Sequence, residues 1–106
     1  MVLICSIHDI SDPGSKGVLL GDLSLFVVHK DAQFYVYKNH CPHLGIELHW
    51  QEDQFLDMDN ALIQCATHGA LFLIETGECV AGPCSGQSLQ PIDFQIIDGN
   101  IVIAPN

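Results

Sequence analysis

The chain has 106 residues and 48% apolar composition, enough to build one core and too little for two domains. Three basic against thirteen acidic residues leave a formal net charge of −10. That balance excludes a nucleic-acid binder, since nothing could neutralise a run of phosphates, and it argues against docking on an anionic membrane surface.

In chain order, a first strand is expected near residues 2–7, followed by a surface loop at Asp12-Pro-Gly-Ser15. Ser24-Leu-Phe-Val-Val-His29 and Gln33-Phe-Tyr-Val-Tyr37 are rich in β-branched and aromatic residues, and Lys30-Asp-Ala32 between them predicts a hairpin. Asp57-Met-Asp-Asn60 predicts a second, weaker hairpin running into Ala61-Leu-Ile-Gln64. Ile92-Asp-Phe-Gln-Ile-Ile97 meets Ile101-Val-Ile103 across Asp98-Gly99, a strong two-residue hairpin signal. No segment sustains an apolar spacing of three and four, and there is no repeat or linker. Short strands punctuated by turns predict an all-β antiparallel sandwich or barrel, one domain over residues 1–106.

No basic, apolar and small-residue leader is legible at Met1-Val-Leu-Ile-Cys5, so the expectation is a soluble, cytoplasmic protein, with monomer as the default. Five cysteines are an odd number in such a chain, and in a reducing compartment they point to metal binding or reactivity rather than to a disulfide framework.

Two Cys-His pairs carry the chemistry: Cys41-Pro-His43-Leu-Gly45 and Cys65-Ala-Thr-His68-Gly69. Each follows a predicted strand end and is followed by glycine, which lets the backbone pass close to a bound centre. Two thiolates and two imidazoles make a four-ligand metal site. Those donors suit zinc or an iron–sulfur centre and disfavour calcium or magnesium. A structural zinc site is the main competitor, although zinc fingers pair like with like, whereas here each half-site mixes thiolate and imidazole. The remaining cysteines, Cys5, Cys79 and Cys84, read as packing residues; a reactive thiol at Cys84 is the minority alternative. His8, His29, His40, His49 and Trp50 carry no functional argument of their own.

On these residues the chain resembles the Rieske-type iron–sulfur proteins. Their Cys-x-His and Cys-x-x-His signature stands here as Cys41-Pro-His43 and Cys65-Ala-Thr-His68. Phe72, Thr76-Gly-Glu78 and Ala81-Gly-Pro83 agree further, the last as a proline loop over the centre. The twenty-one residues between His43 and Cys65 exceed the family's usual spacer, and the excess is placed around Gln51 to Asn60.

The resemblance implies a 2Fe–2S cluster in a smaller subdomain of two loops, about residues 39–84. Cys41 and Cys65 would hold one iron, and His43 and His68 the exposed one. With neutral imidazoles the oxidised cluster carries no net charge, which raises its potential above that of all-cysteine centres; the family spans about −150 to +300 mV. High-potential members carry an extra disulfide and two hydroxyl donors to sulfur. The matching positions here are Ile46 and Thr67, and Ala70 and Phe72, so a low-potential centre is expected.

The implied function is a ferredoxin passing single electrons from a reductase to an oxygenase or another redox enzyme, with no bond-making catalysis. Two alternatives stand beside it: a small subunit of the nitrite-reductase type, and a zinc-stabilised interaction module.

Overall fold

A computed structural model describes residues 2–39, 55–57, 61–64, 70–82 and 86–104. Among the described residues, nine strands form three antiparallel sheets of three. β1 (Val2–Ser6), β8 (Phe94–Ile97) and β9 (Asn100–Ile103) make one sheet in the order β1-β9-β8. β2 (Gly14–Leu20), β3 (Leu23–Lys30) and β4 (Gln33–Lys38) make the second, and β5 (Leu62–Gln64), β6 (Leu71–Leu73) and β7 (Cys79–Ala81) the third, smaller one.

The central strand explains how the sheets stack. Leu25, Phe26, Val27 and Val28 of β3 are all fully buried, so both faces of that strand are covered. A half-exposed strand alternates apolar and polar residues, whereas a strand with two covered faces is apolar throughout. Successive side chains point to opposite faces. Accordingly Leu25, Val27 and Val36 join Ile4, Cys5, Ile101 and Ile103 in one core against the β1-β9-β8 sheet. Phe26, Val28 and Tyr37 join Phe55, Ile63, Phe72, Ile74 and Leu89 in a second core against the β5-β6-β7 sheet. The β2-β3-β4 sheet is the shared middle wall.

Turn chemistry fixes the two tight hairpins. Asp31 and Ala32 (φ 53° and 65°) connect β3 to β4, and Asp98 and Gly99 (φ 53° and 78°) connect β8 to β9. Two consecutive positive φ values match the right-handed strand twist, which is why such turns close two-residue hairpins. Alanine is a poor residue for that conformation. The first turn is therefore held from outside: the Asp12 carboxylate accepts from the Asp31 and Ala32 amides at 3.0 and 2.7 Å. These amides, that of Ala32 foremost, hold the Asp12 carboxyl below the usual carboxylate range.

Several expectations need correction. The loop expected at Asp12–Ser15 ends early, because β2 begins at Gly14 and runs the full length of β3. Two glycines and a lysine hide that strand in the sequence. The first strand stops at Ser6, and Ile7–Asp9 form a 3-10 turn capped reciprocally by Ser6 and Asp9. β8 begins at Phe94 rather than Ile92, since Pro91 and Ile92 pair instead with the edge of β4. β6 and β7, three residues each, were not anticipated. The hairpin at Asp57 does form as far as its described residues go: the Asp57 amide donates to the Leu62 carbonyl at 2.9 Å, and its carboxylate accepts from the Ala61 amide.

Tyr37 ties the second core to its loop. Its hydroxyl donates to the Ile74 carbonyl, and burial, with the charges of Tyr35 and Glu75 adding to it, pushes its pKa up to about 12. The folded state therefore favours the neutral phenol, so this contribution is complete below about pH 10 and disappears as pH rises to about 12. Chemical denaturation across that window will show a fall in stability that Tyr37→Phe abolishes. At neutral pH the same variant will be destabilised by about 1–2 kcal/mol, because the Ile74 carbonyl loses its donor.

Candidate metal centre

Cys41, His43, Cys65 and His68 lie outside the described residues, as do Ile46, Thr67, Cys84, His40, His49, Trp50 and most of the stretch expected to take the longer spacer. The structure does show the anchors from which their segments depart. Three stretches, residues 40–54, 65–69 and 83–85, depart from the β framework; Asn39, Phe55 and Ala70 at their ends are buried, Gln64 is half-buried, and Gly82 and Gly86 are exposed.

The first stretch follows Asn39, a buried polar residue whose amide donates to the Ser24 carbonyl at 2.9 Å and whose Nδ2 donates to Ser24 Oγ at 3.2 Å. It ends at Phe55, 1% exposed, which stacks on Phe26 with ring centroids 4.4 Å apart and planes 6° from parallel. The Phe55 amide donates to Ser15 Oγ at 3.3 Å.

The second stretch follows Gln64, whose amide donates to the Phe55 carbonyl at 3.0 Å. The exit of one ligand segment and the entrance of the next are thus one hydrogen bond apart. That second stretch ends at Ala70, 1% exposed. The third stretch follows Gly82, which packs on Ala70 so closely that a Cβ on Gly82 would lie 2.8 Å from Ala70 Cα. With φ +101°, Gly82 also occupies backbone space that side-chain-bearing residues rarely adopt. A chain of contacts (Phe55 to Gln64 along the edge of β5, Ala70 to Gly82 across the exits) therefore brings the end of the first stretch, both ends of the second and the start of the third to one end of the β5-β6-β7 sheet.

The donor chemistry fits a 2Fe–2S centre. Thiolates of Cys41 and Cys65 would neutralise what two ferric ions and two sulfides leave over, and neutral imidazoles of His43 and His68 would complete the ligand set. The framework beneath offers no polar competition: Ala70, Phe72 and Ile74 are buried among apolar neighbours. Cys79 belongs to this layer. It is buried in β7, and its thiol donates to the Ala81 carbonyl at 3.2 Å. Cys5 is buried in β1 on the far side of the middle sheet, where burial above all, then the Asp9 charge, raises its thiol pKa. Both fit the packing role that the sequence assigns them.

The anchors themselves were not singled out from the sequence. Asn39, Phe55 and Gly82 flank the motifs by two to fourteen residues, and only the Gly82-Pro83 dipeptide gave a local signal.

Comparison with known proteins agrees with this geometry. Residues 1–101 match the family described as Rieske [2Fe-2S] domain. The ferredoxin subunit of 3-phenylpropionate/cinnamic acid dioxygenase from Photorhabdus laumondii is 28% identical over 103 residues, covering 96% of this chain and 91% of the relative. The ferredoxin of Sphingomonas yanoikuyae B1 superposes with a TM-score of 0.80 at 25% identity, covering 99% of this chain and 98% of that one. A structure of reduced oxygenase with oxidised ferredoxin from carbazole 1,9a-dioxygenase contains a similar chain, with a TM-score of 0.77 and 24% identity over 97% of this chain and 91% of that one. The last likeness concerns the fold.

The close approach at Gly82 gives a direct test. Gly82→Ala will lower the iron bound per purified chain and destabilise the protein by about 2 kcal/mol or more, through backbone strain and overlap with Ala70. Gly21→Ala, at φ +59° with open space around it, will cost only about 1 kcal/mol and leave iron content unchanged.

Proposed function

The chain belongs to the Rieske 2Fe–2S family, whose cofactor is a 2Fe–2S cluster, and from that premise we propose that it carries single electrons from a reductase to a terminal oxygenase of the ring-hydroxylating type. It is an electron-transfer protein rather than a catalyst. The observation that carries the partner assignment is the near end-to-end correspondence with a dioxygenase ferredoxin subunit, 96% of one chain against 91% of the other. Family membership removes the zinc-module alternative, and the match to a ferredoxin subunit favours the carrier over a nitrite-reductase-type subunit.

In this reading Cys41 and Cys65 supply thiolates to one iron, and His43 and His68 supply imidazoles to the other. The four come from the two segments whose anchors meet at Phe55 and Gln64. Bound there, the cluster takes up and gives back one electron. The protein's own part is to hold the two motifs on a stiff base and to exclude polar groups from beneath them. Residues 1–106 act as one domain, with the cluster-binding part at about 39–84. The protein works as a monomer in the cytoplasm; among the described residues no helix is long and apolar enough to cross a membrane.

Purified from iron-replete cells, the protein will be coloured and, after dithionite reduction, paramagnetic. Substituting Cys41 or Cys65 by Ser, or His43 or His68 by Ala, will remove that signal while leaving the β-sheet circular dichroism. Coupled turnover with a purified reductase and a Rieske oxygenase checks the carrier role: product formation must depend on this protein, and a colourless, zinc-loaded protein or oxygenase turnover indifferent to it would refute the reading.

The potential is set low by what Ala70 and Phe72 lack. Both are fully buried just after the second motif in the chain and carry no hydroxyl to offer a sulfur ligand. Ala70→Ser and Phe72→Tyr will each raise the midpoint potential in a redox titration. A hydrogen bond that favours the reduced state by about 1.4 kcal/mol would shift a one-electron couple by about 59 mV.

A further inference from the structure

The strand edges of this fold are not treated alike. The outer edge of β4 is closed by residues 90–92, through Lys38 N to Gln90 O and Ile92 N to Val36 O, both 2.9 Å. That of β5 is closed by residues 55–57, and that of β7 by residues 87–89. The outer edge of β8 pairs with no described residue.

The register shows what that edge presents. Asp98-Gly99 closes a two-residue hairpin, so the flanking pair Ile97 and Asn100 exchange both hydrogen bonds, and Gln95 with Val102 does the same two residues on. The N–H and C=O groups of Phe94 and Ile96 therefore point outward from the sheet. Ile96 and Ile97 are 48% and 45% exposed. Neither proline, lysine nor a bulge interrupts β8, although these are the usual protections of an open edge.

Charge surrounds this edge with one sign. Asp93 and Asp98 bracket β8, and the chain's basic residues, Lys16, Lys30 and Lys38, all lie on β2, β3 and β4. Beside the start of β8 a cleft of about 420 Å³ is lined by Tyr35, Glu75, Asp93 and Phe94 among others. Glu75 and Asp93 are exposed, and Tyr35, half-buried, lines the same cleft.

We propose that β8 is a docking edge for an extended segment of a partner protein, apolar along one face and flanked by Lys or Arg, which adds as a fourth strand and seats a basic side chain in the Tyr35–Glu75–Asp93 cleft. Backbone pairing to Phe94 and Ile96 supplies the register, and the Ile96 side chain, on the same face as Phe94, supplies apolar area. The acids at both ends supply the selection. A second copy of this chain is the wrong occupant: antiparallel pairing of β8 with itself through Phe94 and Ile96 would set Asp98 of each copy beside Asp93 of the other, on chains that each carry −10. The edge lies across the middle sheet from the β5-β6-β7 sheet that anchors the motif segments, so a segment docked here leaves the redox end open. The inference rests on the β8 edge and on the cleft that Tyr35 and Glu75 complete beside it, and holds whichever redox partner the protein serves.

The test is a titration of isotope-labelled, cluster-loaded protein with the blocked heptapeptide Lys-Thr-Val-Thr-Val-Thr-Arg, followed by amide chemical shifts and hydrogen exchange. Saturable shifts at Phe94–Ile97 are expected, with slowed exchange of the Phe94 and Ile96 amides. Binding is expected to weaken roughly tenfold for the peptide with Glu at both ends, and by a similar factor for the Asp93→Asn/Asp98→Asn variant. Those aspartates are exposed, so the variant's fold is preserved. Absence of shifts at β8 up to millimolar peptide, equal binding of the Glu-flanked peptide, or protein self-association that protects the same two amides would each overturn the proposal.

Discussion

The contact on which the rest of this structure depends is the stack of Phe55 on Phe26. Phe26 belongs to a strand buried on both faces, and its ring lies fully buried in the core against the β5-β6-β7 sheet. Phe55 closes a stretch of fifteen undescribed residues that includes the first Cys-His pair. By stacking flat on Phe26 at 4.4 Å it sets where that stretch must end, and by accepting from Gln64 it sets where the second must begin. Ordering loops of that length costs conformational entropy, and tying their ends into a rigid core is how the fold keeps the cost small.

The layering divides the labour. The middle sheet is a common wall, with Leu25, Val27 and Val36 turned to one side and Phe26, Val28 and Tyr37 to the other. Beyond one face sits the small sheet whose exits hold the redox motifs. Beyond the other sits the sheet formed by the chain's first strand and its last two, with its open edge and its acids. A dense apolar layer between them has low compressibility and so fixes their relative position well. For an electron-transfer protein, fixed position of the anchors is the useful property.

Much of this was legible in the sequence because it rests on local signals. The hairpins at Lys30–Ala32 and Asp98–Gly99 are declared by turn residues and by the β-branched runs around them. The redox motifs are declared by the spacing of thiolate and imidazole within a few residues. What escaped were elements whose cause is remote. β2 carries Gly14, Lys16 and Gly17, and it is a strand because β3 offers it a full ladder of partners. β6 and β7 are three residues each and exist because Phe72 must cover the second core between Ile63 and Cys79. Pro91 and Ile92 look like the start of a strand but close another sheet's edge.

The sequence by itself settled the all-β class and the family, because ligand type and turn chemistry are properties of a few consecutive residues. Only the tertiary structure decided that Phe55, Gln64, Ala70 and Gly82 meet at one end of the β5-β6-β7 sheet, and that β8 keeps an edge unpaired among the described residues, flanked by acids. Those facts depend on which strands become neighbours, and neighbour choice is set by burying two core faces at once rather than by any residue's own preference.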